Sequence, residues 1–446
     1  MKLTLRAQRL IVLGLVLAST ATGSAQHPEK PDEKGPYNVG FTTFCAVMSA
    51  GRVTRVQVFY PTLERPDYQA EYRVYPAVNQ GDPLGTCLPP GAGLYRLNSP
   101  LHAVQDGNPI SGKRFPLIVH DHGGQAAGSD FQRLSQLPVH ETLASHGFVV
   151  AVALHSGNAL NRVLDLPLVI DTMLARNATI GDFLFGSIDP HRIGISGEST
   201  GGGTALRVAG GWLENGIAAD PRVKAVVVYE PSPFSEGDVS AISLPYLVMG
   251  GTQSAISQTI PSLFDTTVLA TPRIYVTNPG AVHISYQTGI CSRIDETREA
   301  ALMANPTQPE PLSNLITLPS GLRVCSPTLG AAAAAACLAW NMGEITSPTS
   351  PGFGGGRNFC TRVGVNSLAS LDTSPTDGFT DSPPFTATDA FTFEEPVSGE
   401  IMVSTIKLYT VAFWQKFLAG NGHYMRYLTP GYAHVHSLPV VLRIQD

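Results

Sequence analysis

The stretch RIGISGESTGGGTAL, residues 192–206, sets Ser199 between glycines at 197 and 201. An alcohol is a poor nucleophile unless a base stands ready to take its proton, and that base needs an acid that fixes its tautomer and balances the charge it gains. His283, in RIYVTNPGAVHISY, is the histidine that lies a few residues past an apolar run downstream of the serine. Glu230, closing VKAVVVYE ahead of Pro231, is the acid of choice, with Glu236 and Asp238 in the following stretch as alternatives. Charge developing on an attacked carbonyl oxygen calls for N–H donors. Thr200, directly after the serine, supplies one; the glycines of FPLIVHDHGG supply the other, with Gly124 preferred and Gly123 as alternative.

These residues need elements that bring them to one edge. A Gly-x-Ser-x-Gly pattern is weak evidence in a chain with 44 glycines. Its setting adds weight, because RIGI reads as a strand and TGGGTALRVAG as a helix, so the serine falls on a sharp strand-to-helix turn. From Phe115 onward, short apolar runs alternate with longer amphipathic ones: FPLIVHD, FVVAVALHS, NALNRVLDLPLVIDTMLARN, RIGISGES, VKAVVVYE, LPYLVMGG and RIYVTNPG. This rhythm predicts βαβ units and six parallel strands covered on both faces. In such sheets ligands bind beyond the carboxyl ends of the strands, where Ser199, Glu230 and His283 all fall. Upstream, VTRVQVFYP (53–61) and EYRVYPA (71–77) predict an antiparallel lead-in. Asp165 and Asp171 precede the serine on a predicted helix and, with Arg162, are expected to make surface or capping contacts.

Lys2, Arg6 and Arg9 precede LIVLGLVLA and the small residues TGSA, the layout of a secretory signal peptide over residues 1–25. The apolar run is too short to span a bilayer, and no later run reaches that length, so no integral membrane segment is expected in the mature chain. Removing Met1 to Ala25 moves the formal charge from −6 to −9, which gives no electrostatic reason to bind nucleic acid. The expected location is secreted or periplasmic. Six cysteines in that oxidising setting predict disulfides, sequence proximity favouring Cys45 with Cys87 and leaving Cys291, Cys325, Cys337 and Cys360 to brace the C-terminal third. The organisation expected is a core over 26–290, a disulfide-braced insertion or cap over 291–399, dense in Pro, Ser, Thr and Gly, and over 400–446 a helix completing the core plus a tail. Within the insertion only LGAAAAAACLAW (329–340) reads as a helix.

Taken together, FPLIVHDHGG, LASHGFVVAV, IDPHRIGISGESTGGGTAL, KAVVVYEP, GAVHISY and YTVAFWQKFLAGNGHYMRYLTP resemble the platelet-activating-factor acetylhydrolase-like branch of the α/β-hydrolases, near the dienelactone-hydrolase-like esterases and the polyester hydrolases. The resemblance covers about residues 37–287 and 401–433. It implies an α/β-hydrolase fold, a mostly parallel central sheet with helices on both faces, and a cofactor-free serine esterase acting through an acyl-enzyme. The order Ser199, Glu230, His283 is the order of that superfamily. In the acetylhydrolases the acid follows the strand after the nucleophile strand, as Glu230 does, although there it is Asp. Polyester hydrolases place it one strand later, where this chain has Gln253 and Ser254. The nucleophile of the dienelactone hydrolases proper is Cys, and Glu198 stands where many relatives carry His.

The substrate class implied is a small-molecule, lipid or polymer ester, so a polyester hydrolase or lipase of the same fold is one alternative. A second alternative is a metal-dependent hydrolase using His120 and His122 as an H-x-H pair. HVH at 434–436 stands in a polar tail, and further ligands at supporting spacing are lacking. A third is a non-catalytic binding protein on a hydrolase scaffold.

Overall fold

A computed structural model describes residues 30–445 apart from 66–70, 75–94, 124–132, 156–157, 233–238, 253–258, 268, 280, 282, 288–292 and 295–398. The proposed signal peptide, the helix at 329–340 and nearly all of the proposed insertion lie outside the described residues.

Each of the six apolar runs expected to be parallel forms a strand: β6 (Phe115–Asp121), β7 (Val149–Ala153), β8 (Ile188–Glu198), β9 (Val223–Tyr229), β10 (Tyr246–Gly251) and β11 (Arg273–Asn278). They pair in parallel in the order β11-β10-β9-β8-β6-β7. The strand order reverses across β6 and β8, so the ends of these two strands open the crevice where open sheets bind ligands. Ser199 follows β8 directly.

The lead-in differs from its expectation in part. Val53–Thr62 (β2) does join the sheet, antiparallel to β7, but its hairpin partner is Asn38–Val47 (β1), whose Thr- and Gly-bearing sequence gives a weak strand signal. Glu71–Val74 (β3) leaves the main sheet for a small one with Tyr95–Asn98 (β4) and Arg293–Ile294 (β12). Val104–Gln105 (β5) pairs with β1 at one edge. At the other edge Val441–Gln445 (β13) lies antiparallel to β11, so residues read as a polar tail close the sheet at ten strands.

Strands buried on both faces need two layers of helix, and the side chains divide accordingly. Along β9, Ala225, Val227 and Tyr229 face one core while Val226 and Val228 face the other. The first core is covered by α1 (Leu137–Ser145) and by the C-terminal helix, here α5 (Gly399–Phe417), and the second by α2 (Ala159–Ala178), α3 (Thr200–Gly210) and α4 (Ile260–Thr266). The turn of helix Pro430–Val435 (α6) leads on to β13. Trp414 of α5 is fully buried. It packs on β8 at Gly194, where a Cβ would stand 2.4 Å from the indole, so the missing side chain on the serine-bearing strand makes room for the ring. Among the described residues no helix is long and apolar enough to cross a membrane.

The disulfide expectation is corrected to this extent: no disulfide joins two described residues, since Cys45, exposed on β1, is the single cysteine among them, and Cys87, Cys291, Cys325, Cys337 and Cys360 lie outside. Trp414→Ala removes the largest buried side chain beneath β8 and is expected to cost about 3–5 kcal/mol in a urea unfolding titration.

Candidate functional site

Where β8 ends, Ser199 takes φ 53° and ψ −123°, a backbone state that costs roughly 1–3 kcal/mol in a residue with a side chain. The neighbouring glycines explain how the turn survives. A Cβ on Gly197 would stand 2.2 Å from the Gly201 carbonyl oxygen, and one on Gly201 would stand 2.1 Å from the carbonyl oxygen of Asp121. The first turn of α3 is thus wedged between its own strand and the end of β6, with Ser199 at the apex. Backbone bonds hold the apex to β9: Ser199 N–H donates to the Tyr229 carbonyl at 2.9 Å, and Ser232 N–H donates to the Ser199 carbonyl at 3.0 Å. Thr200 is the first residue of α3, where a backbone N–H has no partner inside the helix.

The structure brings Ser199, His283 and Glu230 together. His283 opens a short 3-10 turn after β11, and its Nε2 lies 2.9 Å from Ser199 Oγ. Its Nδ1 lies 3.5 Å from Oε2 of the fully buried Glu230. Glu230 also sits at positive φ, 43°, which swings its carboxylate over the end of β10, where Oε1 accepts the Gly251 N–H. Glu236 and Asp238 lie outside the described residues, as do Gly124, Gln253 and Ser254. Gly123 is described and touches the serine: a Cβ there would stand 3.0 Å from Ser199 Cβ and 1.9 Å from Glu198 Oε2.

Burial, the strongest influence on His283, lowers its pKa. The hydrogen bond to Glu230 and the charges of Glu198 and Glu230 outweigh it and leave the pKa raised above the ordinary 6.5. Glu198 is itself buried without exposure beside this ring, its Oε1 3.6 Å from His283 Nε2.

The β6 end carries a second polar assembly. Arg162 of α2, fully buried, donates from Nε and Nη2 to the two oxygens of Asp121 at 3.0 and 2.8 Å, and Nη2 also reaches the His122 carbonyl. His155 bridges Asp121 and Asp165 at 3.5 and 3.4 Å, and Arg52 and Ser49 complete the shell of Asp165. Surface or capping contacts therefore describe neither Asp165 nor Arg162, both of which are buried; Asp171 alone pairs near the surface, with Arg222. Burial opposes the Asp121 charge, and the Arg162 and His155 charges overcome it, so its pKa is held below the usual carboxylate range.

His122 Nε2 accepts the His155 backbone N–H at 3.0 Å, so its proton sits on Nδ1, which donates to the Gly123 carbonyl at 2.7 Å. Both ring nitrogens are thereby engaged with backbone. A metal at the H-x-H pair would have to displace one of these bonds, while His120 Nδ1 pairs with Ser196 at 2.9 Å. Burial pushes the pKa of His120 down to about 4 and that of His122 to about 3, so both rings are neutral at ordinary pH. Among the described residues no group of three His, Cys, Asp or Glu could hold a metal ion.

No protein-family model matches the chain, and no curated protein matches it. The fold is α/β-hydrolase-like. That statement rests on the sheet order and the two helix layers, and nothing narrows it to one branch.

Two contributors were not anticipated from sequence. One is the Asp121–Arg162 assembly, whose charges look like a polar helix face until α2 is packed. The other is Gly251, which binds Glu230 and also lets the His283 loop approach, since a Cβ there would stand 2.2 Å from the Ala281 carbonyl oxygen. The doubled glycine of LVMGG was the available signal. Gly251→Ala is expected to push the Ala281 backbone and the His283 turn away from Glu230 and to cost about 1–3 kcal/mol in a urea unfolding titration.

Proposed function

We propose that the chain is an exported serine hydrolase of carboxylic esters that works through an acyl-enzyme. The observation that supports this most directly is the line of contacts from Ser199 Oγ to His283 Nε2 and from His283 Nδ1 to Glu230, three residues of separate strand ends. In the proposed reaction Ser199 Oγ attacks the ester carbonyl carbon as its proton passes to His283 Nε2. Glu230 holds the proton on Nδ1 and balances the imidazolium. The donors proposed for the oxyanion are the Thr200 N–H and the N–H of Gly124, with that of Gly123 as the alternative. Collapse expels the alcohol, which takes the proton from Nε2. Water then adds to the acyl carbon, giving its proton to Nε2; the acyl–Oγ bond breaks, Ser199 Oγ takes that proton back, and the acid leaves.

Within the superfamily we assign the chain to the acetylhydrolase-like and dienelactone-hydrolase-like esterases. What supports this is the acid Glu230 on the strand next after that of the serine, together with Gln253 and Ser254, neither of them an acid, at the sequence position where polyester hydrolases carry theirs. The substrate class proposed is an ester of a short acyl group.

A panel of nitrophenyl esters of rising acyl length tests the reading. Ser199→Ala is expected to lose at least about 10³-fold in kcat/KM, and Glu230→Gln roughly 10²–10⁴-fold. Full activity in Ser199→Ala overturns the mechanism, and full activity in Glu230→Gln alone moves the acid elsewhere. The pH profile carries a sign. His283 must be neutral to accept a proton and its pKa is raised, so kcat/KM should fall toward acid, tenfold per pH unit, from a midpoint above 6.5. A rate constant flat down to pH 4 contradicts the assignment of the base.

A further inference from the structure

The proposed chemistry uses one carboxylate at His283, yet the ring faces two. Glu230 approaches Nδ1, and Glu198 approaches Nε2, the nitrogen that exchanges the proton with Ser199. Glu198 closes β8, adjacent to the serine in sequence, and has no exposure to solvent. It is no ordinary buried acid neutralised by a cation of its own. The groups facing it are His283 and Gln287 from the turn after β11, Glu230 from the end of β9, Arg162 from α2, and the backbone of Gly123 from the end of β6. Among them Arg162 is already committed to both oxygens of Asp121 and to the His122 carbonyl. Among the described residues the imidazole is the group that forms an ion-pair contact with Glu198, at 3.6 Å.

We infer that Glu198 is a positioning residue of the same site, a second carboxylate that acts through His283 by holding the imidazolium on its Nε2 side while the proton from Ser199 resides there. This rests on the hydrolase reading of the preceding section. The consequence for charge is specific. While Glu198 is ionised, protonation of His283 completes a buried ion pair and is favoured. Once Glu198 is neutral, only Glu230 favours the imidazolium. Burial, first among the influences on Glu198, raises its pKa to about 7 against the lowering effect of His283, so the two groups exchange protons over the same range and titrate as a pair. The close seat of Gly123 fits the same role. Its missing Cβ is what admits the Glu198 carboxylate beneath the turn that also borders the serine.

The experiment reads the imidazole itself. In protein labelled with ¹⁵N-histidine, the Nδ1 and Nε2 resonances of His283 are followed from pH 5 to 9 in the wild type, Glu198→Gln and Glu198→Asp, and kcat and KM for nitrophenyl acetate are measured over the same range. The wild type is expected to titrate in two inflections. Glu198→Gln should titrate in one, with its midpoint at least half a unit lower, the acid limb of kcat displaced equally, kcat at its plateau lowered about tenfold and KM changed less than twofold. Glu198→Asp, which keeps the charge but withdraws it by one methylene, should fall between them.

A merely structural glutamate would lower the melting temperature of the variants and leave the imidazole midpoint in place. That unchanged midpoint in a folded Glu198→Gln overturns the inference. If Glu198→Gln does not fold, a single inflection in the wild type overturns it instead. The two readings fail separately. Ser199-dependent ester cleavage with an unmoved imidazole midpoint removes the role of Glu198 alone. Two imidazole inflections in a protein that cleaves no ester remove the esterase reading, and with it the catalytic use assigned here to the pair.

Discussion

Ser199 occupies a backbone state that its own side chain disfavours, and the surrounding rim is arranged so that it has no alternative. The end of β6 presses on Gly201, the end of β8 presses on the same turn through Gly197, and the end of β9 grips the serine by its N–H and its carbonyl. Relaxing the turn would require moving three central strands that are buried on both faces, where packing is dense and displacements are resisted. Local strain is thus held by the cohesion of the whole sheet. The result is a hydroxyl lifted from the strand end toward a histidine that arrives from β11, two strands beyond β9.

Charge at this rim is sorted into two compartments. On one side of Gly123, Asp121 and Arg162 form a bidentate pair within a larger set of His155, Asp165, Arg52 and Ser49. Such buried pairs contribute little net stability, but removing one partner is costly, so the pair keeps the β6 end in one position. On the other side, Glu198 and Glu230 face His283. A histidine between two acids is readily protonated, and in the proposed reaction the proton taken from Ser199 places its charge between them. His122 stands at the boundary, neutral, tying the Gly123 carbonyl to the backbone at His155.

Much of this was legible in the amino-acid order because the parallel strands are nearly unbroken apolar runs, and runs such as VKAVVVY leave little choice of element. Ser199 and Glu230 could be picked out because each directly follows such a run, and His283 because it lies a few residues past one. The misreadings share a cause. Asn38–Val47 and Val441–Gln445 are sheet members whose polar or mixed sequences fit an outer strand better than a core strand, and their pairing is decided by neighbours far along the chain. Glu71–Val74 has strand chemistry, but sequence does not say which sheet it joins. Asp165 and Arg162 follow a helical rhythm that marks them as solvent-facing, and only the packing of α2 onto the β6 end buries them. Gly251 carries no chemistry of its own; its importance comes from the two loops that meet over it.

The account stands on Ser199 being a nucleophile activated by the histidine beside it. Its most direct test is reaction of the purified chain with a fluorophosphonate, followed by mass spectrometry of the tryptic digest. One equivalent of the phosphonyl group on Ser199, formed at least about a hundredfold more slowly in His283→Ala, is the result expected. Absence of adduct in folded protein, or an adduct on another residue with Ser199 untouched, would contradict it.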